Sequence, residues 1–206
     1  MNRVVVTGMG AVSACGLGSD TLWDAVVMGQ SGVRPVDFPN IINQRVGQAA
    51  ALSNDTLEAL DDVLSHRMRD PVASYALQAA KEAVTQAGLD KGDFGDACGV
   101  IVGSGFGGAK TLDDNYMAFG VEKKMRLDPM AIPKIMASAS ASWVSMEFGA
   151  TGPLYAPSSA CSSASQAIGL AYQMLKAGVM DRCLAGGSEA CLVGGVFRAW
   201  EVLRVM

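Results

Sequence analysis

Cys161 lies in Ser158-Ser159-Ala160-Cys161-Ser162-Ser163-Ala164, a run of small residues between a short strand signal and a helical pattern. A thiol at such a turn meets the start of a helix. Unpaired amide donors and partial positive charge there favour thiolate over thiol, relative to a free-cysteine pKa of about 8.5. The same amides can steady a developing oxyanion. The competing reading is a small buried residue in a Ser/Ala-rich turn, and local spacing leaves both open. The other thiols have weaker settings: Cys98 opens an apolar strand, Cys183 lies inside another, and Cys15 and Cys191 sit near glycines. The single histidine, His66, lies in the charged stretch Ser65-His66-Arg67-Met68-Arg69, which reads as a solvated helix end rather than a base for Cys161. A cysteine hydrolase would have to use it.

Gly103, Gly105 and Gly108 match the G-x-G-x-x-G spacing after a strand, which lets a helix start approach a pyrophosphate. A dinucleotide-binding domain is therefore an alternative. No strand ending in Asp or Glu follows about 20 residues later, where a ribose-binding carboxylate belongs. Close backbone packing of the glycine turn is the simpler reading.

These residues need a scaffold, and its elements can be read along the chain. Val4 to Thr7 is a β-branched run ending in Gly8-Met9-Gly10, which predicts a buried strand. Ser19 or Asp20 can cap a helix from Thr21 to Met28, stopped by Gly29. Residues 31 to 51 read as loop with at most a short strand, broken by Pro35 and Pro39. Asp70-Pro71 starts the clearest helix. Ala73, Ala76, Leu77, Ala80, Ala83, Val84 and Ala87 form its apolar stripe, small enough for close packing on a sheet, and Gly88 ends it. Cys98 to Val102 is a second strand. A small-residue helix is expected from Pro133 to about Phe148, and a short strand from Leu154 to Pro157. A helix from Ser162 to Ala177 is expected to present Ala164, Ile168, Ala171, Tyr172 and Leu175 on one face, before a last strand from Arg182 to Ala185. Alternating strands and helices imply an α/β protein, its sheet mixed and flanked by helices.

The composition supports one well-filled domain, or at most two small ones, with 206 residues, half of them apolar and 17% charged. A net charge of −4 offers no basic field for nucleic acid. No run of 18 apolar residues predicts a membrane span, and no signal peptide is evident at the start. Five cysteines without tight spacing suggest free thiols in a reducing compartment, so the cytoplasm is the expected location. Neither a zinc site nor another cofactor is expected.

Three segments together resemble the elongating β-ketoacyl-[acyl-carrier-protein] synthases, the condensing enzymes of fatty-acid and polyketide synthesis. Val4 to Ser13 with Gly29-Gln30-Ser31-Gly32-Val33 is similar to their opening, Ile101 to Gly108 to their central glycine turn, and Ser159 to Ser163 with Ile168-Gly169 and Ala185 to Glu189 to their nucleophile segment and following strand. The resemblance implies a thiolase-like layered α/β fold, of which residues 1–206 would be the N-terminal half, and a homodimer. It implies that Cys161 accepts an acyl group from a carrier-protein thioester, and that Phe106 and Trp200 line the acyl pocket. It also implies that two histidines, a lysine and a second oxyanion donor belong to a C-terminal half, so this portion alone is expected to be impaired. A structural remnant that only dimerises is a further alternative.

Overall fold

The computed structural model describes residues 2–206. Its centre is a three-stranded parallel sheet in the order β6-β5-β7, comprising Cys98–Gly103 (β5), Leu154–Tyr155 (β6) and Arg182–Gly187 (β7). β5 is central because it alone is buried at every position, as a strand covered on both faces must be. Its side chains alternate between two cores. Cys98, Val100 and Val102 join Ala76, Leu77, Val84, Ala141, Val144 and Phe148 on one face, while Ile101 joins Ala167, Ala171 and Met180 on the other.

Helices supply those two layers. Before the sheet come the short ladders Val12–Ser13 (β1) with Gly16–Leu17 (β2) and Val33–Pro35 (β3) with Gln48–Ala50 (β4), both antiparallel, and the helices Ser19–Val27 (α1), Asn54–Ala59 (α2), Asp61–Leu64 (α3) and Pro71–Gln86 (α4). Ala109–Tyr116 (α5), Ala131–Ile135 (α6) and Ala139–Phe148 (α7) follow β5, Ser163–Ala177 (α8) joins β6 to β7, and Gly194–Leu203 (α9) closes the chain. α4 and α7 pack on one face of the sheet and α8 on the other. The α/β layering expected from the alternating pattern is present. The central pairing is parallel, and antiparallel pairing is confined to the two small ladders.

α4 begins as its residues dictate: the Asp70 carboxylate accepts from the Val72 amide at 3.0 Å, and Pro71 fills the first turn. Asp70 is fully buried and also accepts from the Thr111 amide and hydroxyl at 2.8 and 2.7 Å, tying the start of α4 to α5.

Four expectations need correction. Val4–Thr7 is neither buried nor paired: among the described residues it has no ladder partner, and Val6 is 80% exposed. A β-branched run becomes a strand only beside a sheet edge, and it is the segment after this run, residues 8–11, that lies on α4. There Met9 and Ala11 amides reach Gln86 and Glu82, and Gly8 and Gly10 back onto the Ala83 and Ala79 carbonyls. The alanine stripe of α4 thus meets another backbone as well as the sheet core. Second, α1 has no cap from its own first residues. The Glu82 carboxylate, from α4, accepts from the Ser19 amide and hydroxyl at 2.7 and 2.9 Å. Third, the helix expected from Pro133 to Phe148 breaks at Met136, because the Ile135 carbonyl accepts from the Gly108 amide at 3.2 Å and the chain leaves helical geometry there. Fourth, α8 buries Ser163, Ala167 and Ala171, leaving Ile168 and Tyr172 exposed. Its fully buried positions are small, and Leu170, Met174 and Leu175 pack half-buried against the same core.

Candidate active site

All three parallel strands end at one edge of the sheet, and each delivers a segment there. Crevices outside the carboxyl ends of such strands are where α/β sheets bind ligands. β6 leads through Pro157 into the Cys161 turn, β5 into the glycine turn Gly103–Gly108, and β7 into Ser188 and Glu189. The segments are stitched to one another. The Ser104 amide donates to the Pro157 carbonyl at 3.2 Å, and the Ser188 amide donates to the Gly103 carbonyl at 3.1 Å.

Two glycines allow α8 to start this close to the strands. A Cβ on Gly103 would stand 2.5 Å from the Ser163 carbonyl oxygen, and one on Gly187 would stand 2.6 Å from the Ala164 Cβ. Both distances are far inside van der Waals contact, so only bare backbone fits.

The Cys161 turn is locally over-determined. Ser163 is buried, and its hydroxyl accepts from the Ser159 amide at 2.9 Å and donates to the Ala160 carbonyl at 2.7 Å. Ser162 donates to the Ser159 carbonyl at 2.8 Å. Between these clamps Ala160 is held at φ +52°, a left-handed conformation that costs a non-glycine residue about 1–3 kcal/mol. Strain of this kind, one residue before a candidate nucleophile, is part of how a turn presents a side chain outward.

Cys161 is indeed exposed, just ahead of α8. The reading of it as a small buried residue is therefore excluded. Cys98 is buried and Cys15, Cys183 and Cys191 are half-buried. Burial pushes the Cys98 and Cys191 thiols up to about 11 and Cys183 to about 12, so these three are protonated and unreactive near neutral pH. His66 is exposed and stands edge-on to Trp143 at 5.3 Å, engaged with a surface aromatic.

Phe106 and Trp200 are brought together: their ring centroids lie 6.0 Å apart in an edge-to-face arrangement. Trp200 is carried by α9, which is anchored through buried Phe197 against Phe38 and through Glu201, acceptor for the Arg45 and Val46 amides. The glycine turn that carries Phe106 is held by Glu189, a residue whose role is not visible in the sequence motifs. One Glu189 carboxylate oxygen accepts from the Gly105 amide at 2.8 Å and the Phe106 amide at 3.2 Å. The Gly107 amide donates to Ser104 Oγ at 3.0 Å, and the Gly108 amide to Ile135. Four successive amides are thus committed to protein acceptors, which removes the donors a dinucleotide pyrophosphate would need. The glycines serve close packing instead. A sign of Glu189 was available in its position two residues after the glycine pair ending β7, but nothing local says which turn it reaches.

This layered α/β arrangement is that of the thiolase-like ketosynthases. A solved type II PKS acyl-carrier protein in complex with its ketosynthase superposes with TM-score 0.78 and 25% identity, over 97% of this chain and 55% of that one. The profile of the β-ketoacyl synthase N-terminal domain matches residues 1–206, and the chain belongs to that family. Nodulation protein E of Rhizobium meliloti (strain 1021) is 37% identical over 99% of this chain and 51% of its own length. The 3-oxoacyl-[acyl-carrier-protein] synthase 2 of Staphylococcus aureus (strain N315) is 33% identical over 99% and 50%. The chain spans about half the length of the curated relatives it matches.

Proposed function

We propose that the chain is the nucleophile-bearing half of an elongating β-ketoacyl-[acyl-carrier-protein] synthase, with Cys161 as the acyl-accepting thiol. The observation that carries this reading is the presentation of one exposed cysteine at a helix start, where three parallel strands end, while the buried Cys98 and half-buried Cys183 and Cys191 thiols are held protonated. In the first step the Cys161 thiolate attacks the thioester carbonyl of an acyl carrier protein. A carbon–sulfur bond forms to Cys161 through a tetrahedral oxyanion, towards which the Cys161 amide contributes a donor, and the carrier thiol leaves and takes up a proton. In the second, malonyl-carrier protein loses carbon dioxide. The carbanion attacks the acyl-enzyme and Cys161 is released as thiolate, leaving a chain two carbons longer.

Phe106 and Trp200 form an aromatic pair beside this turn and would line the acyl pocket. The decarboxylating histidines would come from a C-terminal half, so full condensation requires the whole protein, which we propose acts as a cytoplasmic homodimer with acyl carrier protein as partner. Among the described residues no helix is long and apolar enough to cross a membrane.

The test is to incubate the full-length protein with an acyl thioester of the carrier protein and map the adduct by peptide mass spectrometry. An acyl group on Cys161, lost in Cys161→Ala, is the expected result. Acylation of Cys98 or Cys183 in its place, or none, overturns the assignment, and saturable nicotinamide-cofactor binding would favour the dinucleotide reading.

A further inference from the structure

We propose that Glu189 is a positioning residue for Phe106, and that through it the strand β7 sets which acyl chains the site accepts. The inference rests on the reading of Phe106 as a pocket residue. Its basis is the way one carboxylate spans the glycine turn. A single oxygen of Glu189 accepts from two successive amides, Gly105 and Phe106, and the other receives the Ser104 hydroxyl at 3.4 Å. Ser104 is itself buried and holds the Gly107 amide, so the carboxylate and this serine between them clamp the turn on both sides of Phe106. The Phe106 backbone is therefore fixed not by its own strand but by a side chain from the neighbouring one.

That matters because the turn has little else to hold it at this point. The Phe106 side chain is half exposed and makes its aromatic contact only at 6.0 Å, with Trp200. The turn also backs onto the nucleophile segment: a Cβ on Gly105 would lie 3.5 Å from the Ala160 Cα, one residue from Cys161, and 3.0 Å from the Glu189 carboxylate. A shift of the turn thus moves Phe106 relative to Cys161 directly. Carboxylate–amide bonds are charge-assisted and directional, whereas the glycines flanking Phe106 offer no side-chain packing to replace them.

Reach and charge can be separated. Gln at 189 keeps the length and an oxygen able to accept from both amides; its NH2 can face the Ser104 hydroxyl, which accepts as well as donates. Asp keeps the charge but is one methylene short of the turn. The experiment measures, in the full-length protein, kcat/KM for acylation of Cys161 by short and by long saturated acyl thioesters, for wild type, E189Q, E189D and E189A, with thermal melting alongside. The expected result is that E189Q keeps the wild-type ratio of long to short, while E189D and E189A change it by about tenfold or more, the scale on which pocket contacts discriminate chain length. The proposal is overturned if E189D keeps the wild-type ratio, or if E189A lowers both rates equally. Should E189A fail to fold, the comparison of E189Q with E189D decides alone. If wild type itself is not acylated at Cys161, the catalytic reading has failed rather than this one.

Discussion

Replacing Gly103 by Ala tests whether the close approach of α8 to β5 sets the nucleophile in place. The added Cβ would lie 2.5 Å from the Ser163 carbonyl oxygen, 2.6 Å from its carbon and 2.9 Å from its Cβ, against 3.4 Å for the inner edge of ordinary contact. The first turn of α8 must then retreat by 3.4 − 2.5 = 0.9 Å, or the end of β5 must yield by as much. Neither can move freely. β5 is paired on both sides, and the Ser163 hydroxyl is bonded to Ser159 and Ala160. Overpacking of this kind costs about 1–3 kcal/mol. For a chain of this size each kcal/mol lowers Tm by about 2–4 °C, so a loss of about 2–12 °C is expected by calorimetry. The chemical effect should be larger in proportion, because Ser163 holds both residues preceding Cys161. A displacement near 1 Å can lower a rate by about 10²-fold, and acyl transfer to Cys161 should fall on that scale. Gly169→Ala is the control. Gly169 lies exposed in the same helix with open space at its Cβ, so alanine there should stabilise by about 0.5–1 kcal/mol without altering the rate. Wild-type Tm and wild-type acylation in G103A would refute the argument that this contact places the cysteine.

Three further outcomes follow from other contacts. Iodoacetamide at neutral pH should modify Cys161 well before Cys98, Cys183 and Cys191, whose thiols burial holds at about 11, 12 and 11, and peptide mapping after timed quenching reads the order. Burial alone would raise Glu82, but hydrogen bonds from Ser19 and Ala11 outweigh it and hold the carboxyl below its ordinary range. Its contribution is therefore complete above the unfolded value of about 4.3 and lost as pH falls through the lower folded value, so Tm should fall less steeply below about pH 4 in Glu82→Gln than in wild type. Asp70→Ala orphans the Val72 and Thr111 amides, and at about 1–3 kcal/mol for each buried donor the urea midpoint should drop by an amount equivalent to roughly 2–6 kcal/mol.

Elements whose signals are local were legible in the sequence, and α4 is the clearest case. Its start is an aspartate followed by proline and its end is Gly88 at φ +65°, each acting on the residues beside it. α8 likewise begins within a residue of the expected position and ends at Gly178, at φ +74°. β5 was readable because a strand covered on both faces needs only an unbroken apolar run. The misreadings share one cause, a partner distant in sequence. Val4–Thr7 has strand-forming residues and no described strand beside it. α1 is capped from Glu82, over sixty residues away, and the helix after Pro133 is cut by a bond from the glycine turn.

The site divides along the same line. Cys161 was legible as a candidate because the chemistry of a thiol at a helix start is local, but spacing left it open, and a family resemblance supplied its expected role along with those of Phe106 and Trp200. Glu189 and the strain at Ala160 had no such source. The carboxylate gains its role only when parallel pairing of β5 and β7 brings residue 187 beside residue 103, which sets residue 189 against the turn after β5. Ala160 is strained only because Ser162 and Ser163 clamp the backbone on either side of it. The Glu189 contact depends on the pairing of β7 with β5, and the clamped turn abuts both strands at Gly103 and Gly187. Any substitution that loosens the register of β7 on β5 should therefore disturb Phe106 and Cys161 together, even when it touches neither.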